Sequence, residues 1–511
     1  MTETTQTRSD SKRRRVRRLA IGIIAAITAA CAPNSGGGTP SDPGPGDTSP
    51  PAPRAYHGDE SVTLTWGIDE PNATGYEWQW RPSETSTSTS ETTEVPEVVA
   101  TMGLTPNRHY WARVRYLDTD GSAGESSSGT SFFFADMTLP VVRINTEHEV
   151  AIGRELYVNA TMTIDPNGSG DAAYSGTTQI RGRGNSTWGA PKKPYRLKLS
   201  TKSSLMGMTT NRDWILLANF YDPSHLRTEL AFDLSRQTDL SFTPTYRYVE
   251  VILNGRYDGL YMLGEQVEVD SGRVELDEMG PTDNSGEALT GGYMLEFDFR
   301  LDTAVEPGFV SGEGVKVAIK EPDPPAHEQA AYIRSYFNAF EAATLSPTFA
   351  DPVTGFRSYL DVDAFIDWYI IAELTRQQDA AWASTFLTKP RNGKLTFGPV
   401  WDFDLSMGTK NEHSPGWPAT GWWINLPVFG KWIPRLFEDP ALRAQTAARF
   451  AELRPALETV VAQIPETAEP ISTARLMDAG RWKRTVTSND KDAFLVNWLT
   501  DRINWMSGRL G

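Results

Sequence analysis

The sequence predicts an α+β protein: a two-lobed main domain, β-rich first and α-rich second, preceded by a small all-β sandwich. Three observations predict it. Strand-like segments dominate from about residue 139 to residue 319, helical patterns take over after Pro325, and a separate block of alternating residues stands ahead of both. At 511 residues the chain is too long for one core. A hydrophobic content of 39% with 11% aromatics suffices for globular packing. The net charge of −16 excludes a general nucleic-acid footprint and fits solubility in an exposed compartment. Cys31 is the only cysteine, so no disulfide framework exists and stability must come from packing.

Residues 1–31 read as an export signal. Lys12, Arg13, Arg14, Arg15, Arg17 and Arg18 form a basic start, and 19–30 is an apolar stretch short for a membrane span. Small residues, Thr28-Ala29-Ala30, then precede Cys31. The run resembles a bacterial lipoprotein signal, with Thr28 where Leu is usual. That resemblance implies acylation of Cys31, membrane attachment through the N-terminus alone, and an extracytoplasmic location as a cell-envelope lipoprotein or secreted protein. The arginine pairs also allow twin-arginine export. Residues 32–54 are rich in Pro, Gly, Ser and Thr without apolar period, the composition of a flexible tether.

Residues 55–137 form the all-β unit. Runs 61–66 and 75–81 alternate polar and apolar, and 104–116 completes the pattern. The unit resembles a fibronectin type III sandwich. The resemblance makes Trp66 the core tryptophan of an early strand and Tyr110 the tyrosine-corner residue after the Leu104/Pro106 turn. The Ser/Thr run at 83–93 is a polar insertion outside that pattern.

Residues 139–511 form the main domain. Strands are expected at 196–199, 214–218, 248–253, 259–264 and 292–297, with a hairpin turn at 254–259 between two of them. A helix interrupts at 223–237, with Asp222-Pro223 suited to its N-cap and first position. Helices are then expected at 328–342, 361–377, 440–461 and 492–510. The second of these is apolar nearly all round and should be buried.

Two runs carry the chemistry. In Arg181-Gly182-Arg183-Gly184-Asn185-Ser186-Thr187-Trp188, two glycines among Asn, Ser and Thr make a loop rich in donors, able to approach phosphates. Lys192, Lys193, Arg196 and Lys198 follow, and period two puts Arg196 and Lys198 on one face. Alone, this run also reads as a surface turn and a basic strand. Downstream, Asp379 follows the apolar helix, a short hairpin returns the chain, and Trp401-Asp402-Phe403-Asp404 closes it. Protein kinases set a catalytic Asp and a metal-binding Asp in this way. Singly, Asp379 could cap a turn, Asp402 stop a strand and Asp404 sit in solvent; together with the basic Gly-rich run they favour a nucleotide site.

The 181–188 and 398–405 runs, with 192–199, 214–227, 254–265 and 292–298 in that order, resemble the spore coat protein H (CotH) kinase family from residue 139 to the C-terminus. The resemblance implies an atypical protein-kinase-like fold that uses ATP with Mg²⁺ or Mn²⁺ to phosphorylate Ser/Thr acceptors of a protein substrate. It implies Asp379 as catalytic-loop Asp and Asp402 as metal ligand. Arg181, Gly182, Gly184, Asn185 and Ser186 belong to the nucleotide loop, with Lys198 on the phosphates and Lys193 as its rival. Ser384 stands where a protein kinase has a metal-binding Asn, and Asp404 or Asn411 would complete the shell. Glu229 would pair with the phosphate lysine.

Two other readings stay open. A degenerate kinase fold and the β module would make a non-catalytic surface binding protein. Alternatively, Trp417, Trp422, Trp423 and Trp432 could stack on sugars beside paired acids in a carbohydrate-active protein.

Overall fold

The computed structural model describes residues 52–58, 61–66, 73–95, 97–100, 104–424 and 432–510. Cys31, the export segment and the linker up to residue 51 lie outside them.

The alternating N-terminal block folds as two sheets. Its strands are β1 (Arg54–His57), β2 (Val62–Thr65), β3 (Gly75–Pro82), β4 (Thr89–Thr93), β5 (Glu97–Ala100), β6 (Arg108–Leu117), β7 (Ala123–Ser126) and β8 (Thr130–Phe134). One sheet runs β1-β2-β5; the other runs β4-β3-β6-β7, with β8 on β6. Period two sends Val62 and Leu64 from one sheet, and Tyr76, Trp78, Tyr110 and Val114 from the other, into one core with Trp66. The Tyr110 hydroxyl accepts the Thr105 N–H at 2.7 Å and so ties β6 to the turn before it.

The first lobe of the main domain is a barrel. Its strands are β9 (Val141–Thr146), β10 (Val158–Asp165), β11 (Tyr174–Gly182), β12 (Tyr195–Ser203), β13 (Asn211–Leu217), β14 (Tyr246–Leu253) and β15 (Arg256–Glu265). They close in the order β10-β11-β12-β13-β15-β14-β9. Neighbours are antiparallel except β9 and β14, whose parallel pairing shuts the barrel. Asn254 and Gly255 supply the left-handed pair (φ 48° and 72°) that a two-residue hairpin turn requires. Inward residues, among them Met162, Leu197, Trp214, Tyr261 and Leu263, fill the interior.

Helix α1 (Ser186–Gly189) lies between β11 and β12, and α2 (Arg227–Ser235) between β13 and β14. Helix α2 begins later than the Asp222-Pro223 pair predicts. The Asp222 carboxylate instead accepts the backbone N–H groups of Ser224 and Arg227, at 3.1 and 3.0 Å, and holds that stretch in a turn.

The second lobe combines a sheet with helices. Strands β16 (Tyr293–Phe297), β17 (Gly308–Val310), β18 (Lys316–Glu321), β19 (Thr385–Lys389) and β20 (Thr396–Phe397) run β17-β18-β16-β19-β20. The segment expected to end the β-rich lobe therefore belongs to the helical lobe, because β16 pairs with β19 from far downstream. The helices are α3 (His327–Leu345), α4 (Val362–Thr375), α5 (Trp432–Leu436), α6 (Pro440–Ala462), α7 (Ile464–Ala468), α8 (Ser472–Trp482) and α9 (Asp492–Leu510). Asp361 caps α4 by accepting the Ala364 N–H at 3.2 Å, and α4 is buried along most of its length. Trp423 and Trp432 lie in this lobe's core, and Trp417 and Trp422 pack against it. Packing, not a sugar platform, uses these rings.

The β sandwich is docked on the barrel. Phe133 and Ala135 meet Tyr257 of β15 and Met477 of α8 in one apolar cluster. His57 Nε2 accepts the Ala135 N–H at 2.9 Å, and its backbone N–H reaches Gly255 O. Buried Glu250 accepts the N–H groups of Thr138 and Leu139, at 2.7 and 3.1 Å, and so fixes the chain between the two units.

Helix α8 also carries a buried charge cluster into the barrel. Asp478 meets Lys192 Nζ at 2.6 Å, with His225 at 3.2 Å and Arg484 alongside. Burial opposes the Asp478 charge, but Lys192, Arg484 and His225 together hold its carboxyl well below the usual range. Burial brings the His225 imidazole down to about 4, so it stays neutral. Removing the lysine with Lys192→Met should cost about 1–3 kcal/mol in urea unfolding, the loss of one buried charge-assisted contact, since Arg484 still pairs with Asp478. Because the folded carboxyl titrates below its unfolded value of about 3.9, its stabilisation is complete above that pH and drains as pH falls further. Asp478→Asn should therefore lose less stability than the wild type on going to low pH, read from melting temperatures across pH; parallel curves would contradict this.

Candidate active site

One cavity of about 180 Å³ lies between the lobes. The barrel contributes Arg183, Gly184, Asn185, Ser186 and Thr187, with Asn219, Phe220 and Tyr221; the helical lobe contributes Glu296, Arg300, Asp379, Ser384, Trp401, Asp402 and Asp404. Asp379, Ser384, Asp402 and Asp404 thus meet part of the Gly-rich loop, which lies about two hundred residues earlier in the chain.

The acids are delivered by tied loops. Helix α4 ends at Arg376, which adopts φ 52° and closes the helix through bonds to Ala372 O and Glu373 O. The next two side chains then staple the Asp379 loop to the Asp402 loop. Gln377 Nε2 donates to the carbonyls of Trp401 and Asp402, and Gln378 Nε2 to Leu405 O at 2.6 Å. Ser384 Oγ donates to Asp402 Oδ2 at 2.9 Å. Ala381, Ser384 and Asp402 all hold positive φ, of 71°, 48° and 68°. Such conformations cost energy for residues with a Cβ and concentrate at functional sites.

The electrostatics follow from this crowding. Burial, and then the neighbouring Asp402, push the Asp379 carboxyl up to about 7, while Arg300 works against the rise. Burial, followed by Asp402, Asp222 and Asp379, drives the Asp404 carboxyl well above the carboxylate range. Glu296 is raised by burial and steadied by Lys320 at 3.4 Å. Facing them, the Arg183 guanidinium lies 5.4 Å over the Trp401 ring and has no hydrogen bond or ion pair among the described residues. Burial works against its charge, and Asp402 supports it.

This donor set fits a divalent cation and a phosphate chain. Carboxylates that burial and mutual repulsion drive toward protonation are groups a divalent cation would relieve. No three His, Cys, Asp or Glu side chains among the described residues already stand as a coordination shell. Mg²⁺ does not need one, since it takes one or two carboxylates and completes its octahedron with water and phosphate oxygens. Asp402, Asp404 and Ser384 would hold the ion. Arg183 and the loop around Gly184, whose φ of 79° favours glycine, would meet the phosphates.

Other expected residues take structural roles. Lys198 points from β12 into solvent on the barrel's outer wall, away from the cavity: period two grouped it with Arg196, but that face is the wet one. Lys193 Nζ donates to Trp188 O at 2.6 Å. Gly182 makes room for the Trp188 ring, which a Cβ would meet at 2.2 Å. Arg181 lies 5.0 Å over the Tyr157 ring and does not line the cavity. Among the described residues Glu229 pairs with no lysine. It accepts the Tyr248 hydroxyl at 2.7 Å, and burial pushes it up to about 7. Asn411 bonds Tyr221 O at 2.8 Å and the backbone of its own turn. The buried lysine–acid pair of this fold is Lys192 with Asp478.

Sequence reasoning missed Arg183, Glu296 and Arg300 in the cavity, and Arg227 beneath it. Arg183 stood inside the Gly-rich run, where its charge was a signal. Arg227 is fully buried; its Nε donates to Ser406 O at 3.1 Å and so supports the loop that follows Asp404.

A two-lobed domain with clustered acids between its lobes, and with them an arginine without an ion-pair partner among the described residues, is of the kinase-like class. The family model described as CotH kinase protein matches residues 180–506, and the chain belongs to that family. Comparison with curated proteins finds no match. Solved structures similar to short stretches of the chain include one titled "Myokine structure", at 14% identity over 17% of this chain and 96% of that one, TM-score 0.16. A human contactin 1 fn3 domain matches at 14% identity over 20% of this chain and 86% of that one, TM-score 0.16. An FN3 domain of human collagen XX matches at 19% identity over 19% and 97%, TM-score 0.15.

Arg183→Met should weaken ATP binding about 10- to 100-fold, the loss of one charge-assisted contact, by calorimetric titration with Mg²⁺. Lys198→Ala should leave affinity within about twofold, as an exposed residue outside the cavity would. The reverse pattern would return the phosphate role to Lys198.

Proposed function

We propose that this protein is an ATP-dependent kinase that transfers the γ-phosphate to Ser or Thr hydroxyls of a protein substrate. The observation that carries the reading is the meeting of Asp379, Asp402, Asp404 and unpartnered Arg183 in one cavity between the lobes. Phosphoryl transfer asks for positioning and charge stabilisation rather than covalent chemistry, and these groups supply both.

In this reading Asp379 orients the acceptor hydroxyl and takes its proton. Its place in the cavity beside Asp402, on a loop stapled by Gln377 and Gln378, suits a base that must meet an acceptor hydroxyl at the phosphate. Arg183 and the Gly184 loop hold the phosphates and stabilise charge on the transferred group. Mg²⁺ or Mn²⁺, when bound, neutralises charge on the phosphate oxygens. Ser384 orients Asp402 through its 2.9 Å hydrogen bond and lends a hydroxyl beside it. Phe220 and Tyr221 offer rings at the cavity wall for the rest of the nucleotide.

The reading extends to the N-terminus. The two-sheet unit acts as a fibronectin type III-like spacer, and an acylated Cys31 tethers it outside the cytoplasmic membrane. Two signals in the chain support this: the apolar run ending in Thr28-Ala29-Ala30-Cys31 and the Pro/Gly-rich stretch that follows.

Asp379→Asn should keep ATP and metal affinity but lose about 10²–10⁴-fold in phosphotransfer, the usual contribution of a positioned base. Radiolabelled ATP with a Ser-rich acceptor measures it; transfer at the wild-type rate would sink the assignment. Cys31→Ser should move the expressed protein from the membrane fraction to the soluble one, because the acyl group is the anchor proposed. Identical fractionation of both forms would remove Cys31 from that role.

A further inference from the structure

The hairpin between β3 and β4 has no use in the fold that explains its composition. Every residue from 83 to 92 is exposed, and all but Glu84 and Glu91 carry a hydroxyl. No β4 side chain joins the sandwich core. Thr85 Oγ1 donates to Pro82 O at 3.1 Å, and Ser90 bonds Glu77. The hydroxyls of Ser86, Thr87 and Ser88 bond to nothing among the described residues. The turn is held from below, where the Arg81 guanidinium, 5.0 Å over the Trp111 ring, donates to the carbonyls of Ser83 and Thr85. The hydroxyl side chains are therefore free while their backbone is fixed.

The placement suits a phosphate acceptor. Ser86, Thr87 and Ser88 lie in the turn between β3 and β4, and β4, which follows them, is the edge of its sheet with one backbone side unpaired. Glu84, Glu91 and Glu94 flank the hydroxyls with negative charge, and exposed Arg300 stands at the cavity with opposite charge. The hairpin does not face its own cavity by any flexible joint. The sandwich is pinned to the barrel through β1, β8 and β6, which touch β15 and α8, and β4 lies at the far edge of its sheet.

We propose that the 83–92 hairpin is a phosphorylation site for this protein's own kinase activity, modified by a second copy of the chain, with Ser86, Thr87 and Ser88 the first acceptors. The proposal rests on the phosphotransfer reading above. The acceptor hydroxyl oxygen attacks the γ-phosphorus of ATP and its proton passes to the Asp379 carboxylate of the second copy. The bond between the γ-phosphorus and the bridging oxygen breaks, and ADP leaves. The product is a phosphoserine or phosphothreonine at the hairpin, with no other reactant needed. Each transfer adds close to two negative charges to an already acidic hairpin beside Arg81 and Arg108.

The test mixes untagged wild-type protein with a size-tagged Asp379→Asn full-length chain, radiolabelled ATP, Mg²⁺ and a Ser-rich peptide. The expected result is label on the tagged chain, mapped by mass spectrometry to 83–92. In a tagged chain that also carries Ser86→Ala, Thr87→Ala and Ser88→Ala the label should fall at least fivefold. Those positions are exposed and bond to nothing, so this variant should melt with its parent. Label on the peptide but not on the tagged chain overturns the proposal and leaves the kinase reading standing. Label on the tagged chain that maps elsewhere, or stays within twofold in the triple variant, also overturns it. Label on neither acceptor defeats the kinase reading and this proposal together.

Discussion

Three aspartates are crowded into one cavity between the lobes, and much of the surrounding structure holds them there. Burial disfavours their charge and crowded carboxyls disfavour one another's, which is why Asp379 and Asp404 are pushed toward the protonated form. Free loops would relieve that by moving apart. These loops cannot: Gln377 and Gln378 bind the Asp379 loop to the Asp402 loop, and Arg227 holds the carbonyl of Ser406. Positive φ at Ala381, Ser384 and Asp402 adds backbone strain to the electrostatic cost. A site so constrained is preorganised for positive charge, whether from a cation or from Arg183.

The restraint reaches far from the cavity. Arg484 donates to the carbonyls of Asn219 and Phe220, at 3.1 and 2.9 Å, and these residues wall the site. Arg484 is in turn paired with Asp478, which binds Lys192 in the barrel. Asp490, just before α9, meets Arg227 at 3.5 Å. The C-terminal helices are thus bonded into the first lobe and into the acid loop at once. Since α8 also bears the apolar contact with Phe133, the sandwich and the cavity wall share one rigid support.

Much of this was legible locally. Strand-like runs marked β2, β3, β6 and β12 to β16, the 254–259 run marked the hairpin between β14 and β15, and the unbroken apolar run marked the burial of α4. The acid pair was legible because its separation matched a known chemical use of a hairpin. What failed depended on facts with no local signature. The parallel pairing of β9 with β14 joins strands a hundred residues apart. Periodicity could place Arg196 and Lys198 on one face but not say which face is wet. Gly182 and Gly184 look alike in sequence, yet one accommodates a tryptophan ring and the other bends the chain at the cavity. Glu229 was read from its helix alone, and its partner depended on which strand that helix met.

The size of the cavity bounds what the site can recognise. About 180 Å³ is below the roughly 300–1,000 Å³ usual for a small-molecule pocket. A cavity of that size would take a cation and the reacting phosphates, and charged side chains form much of its lining. In the kinase reading proposed above, a base and ribose would have to rest against the lining rings of Phe220 and Tyr221. Stacking on rings is tolerant of base identity, because every base has a π-face. Affinity in such a site comes from phosphate and metal, and discrimination between nucleotides has few polar contacts to draw on. In that reading the specificity of the protein would lie with the acceptor hydroxyl, which would have to reach Asp379 in a cavity that Arg300 also lines.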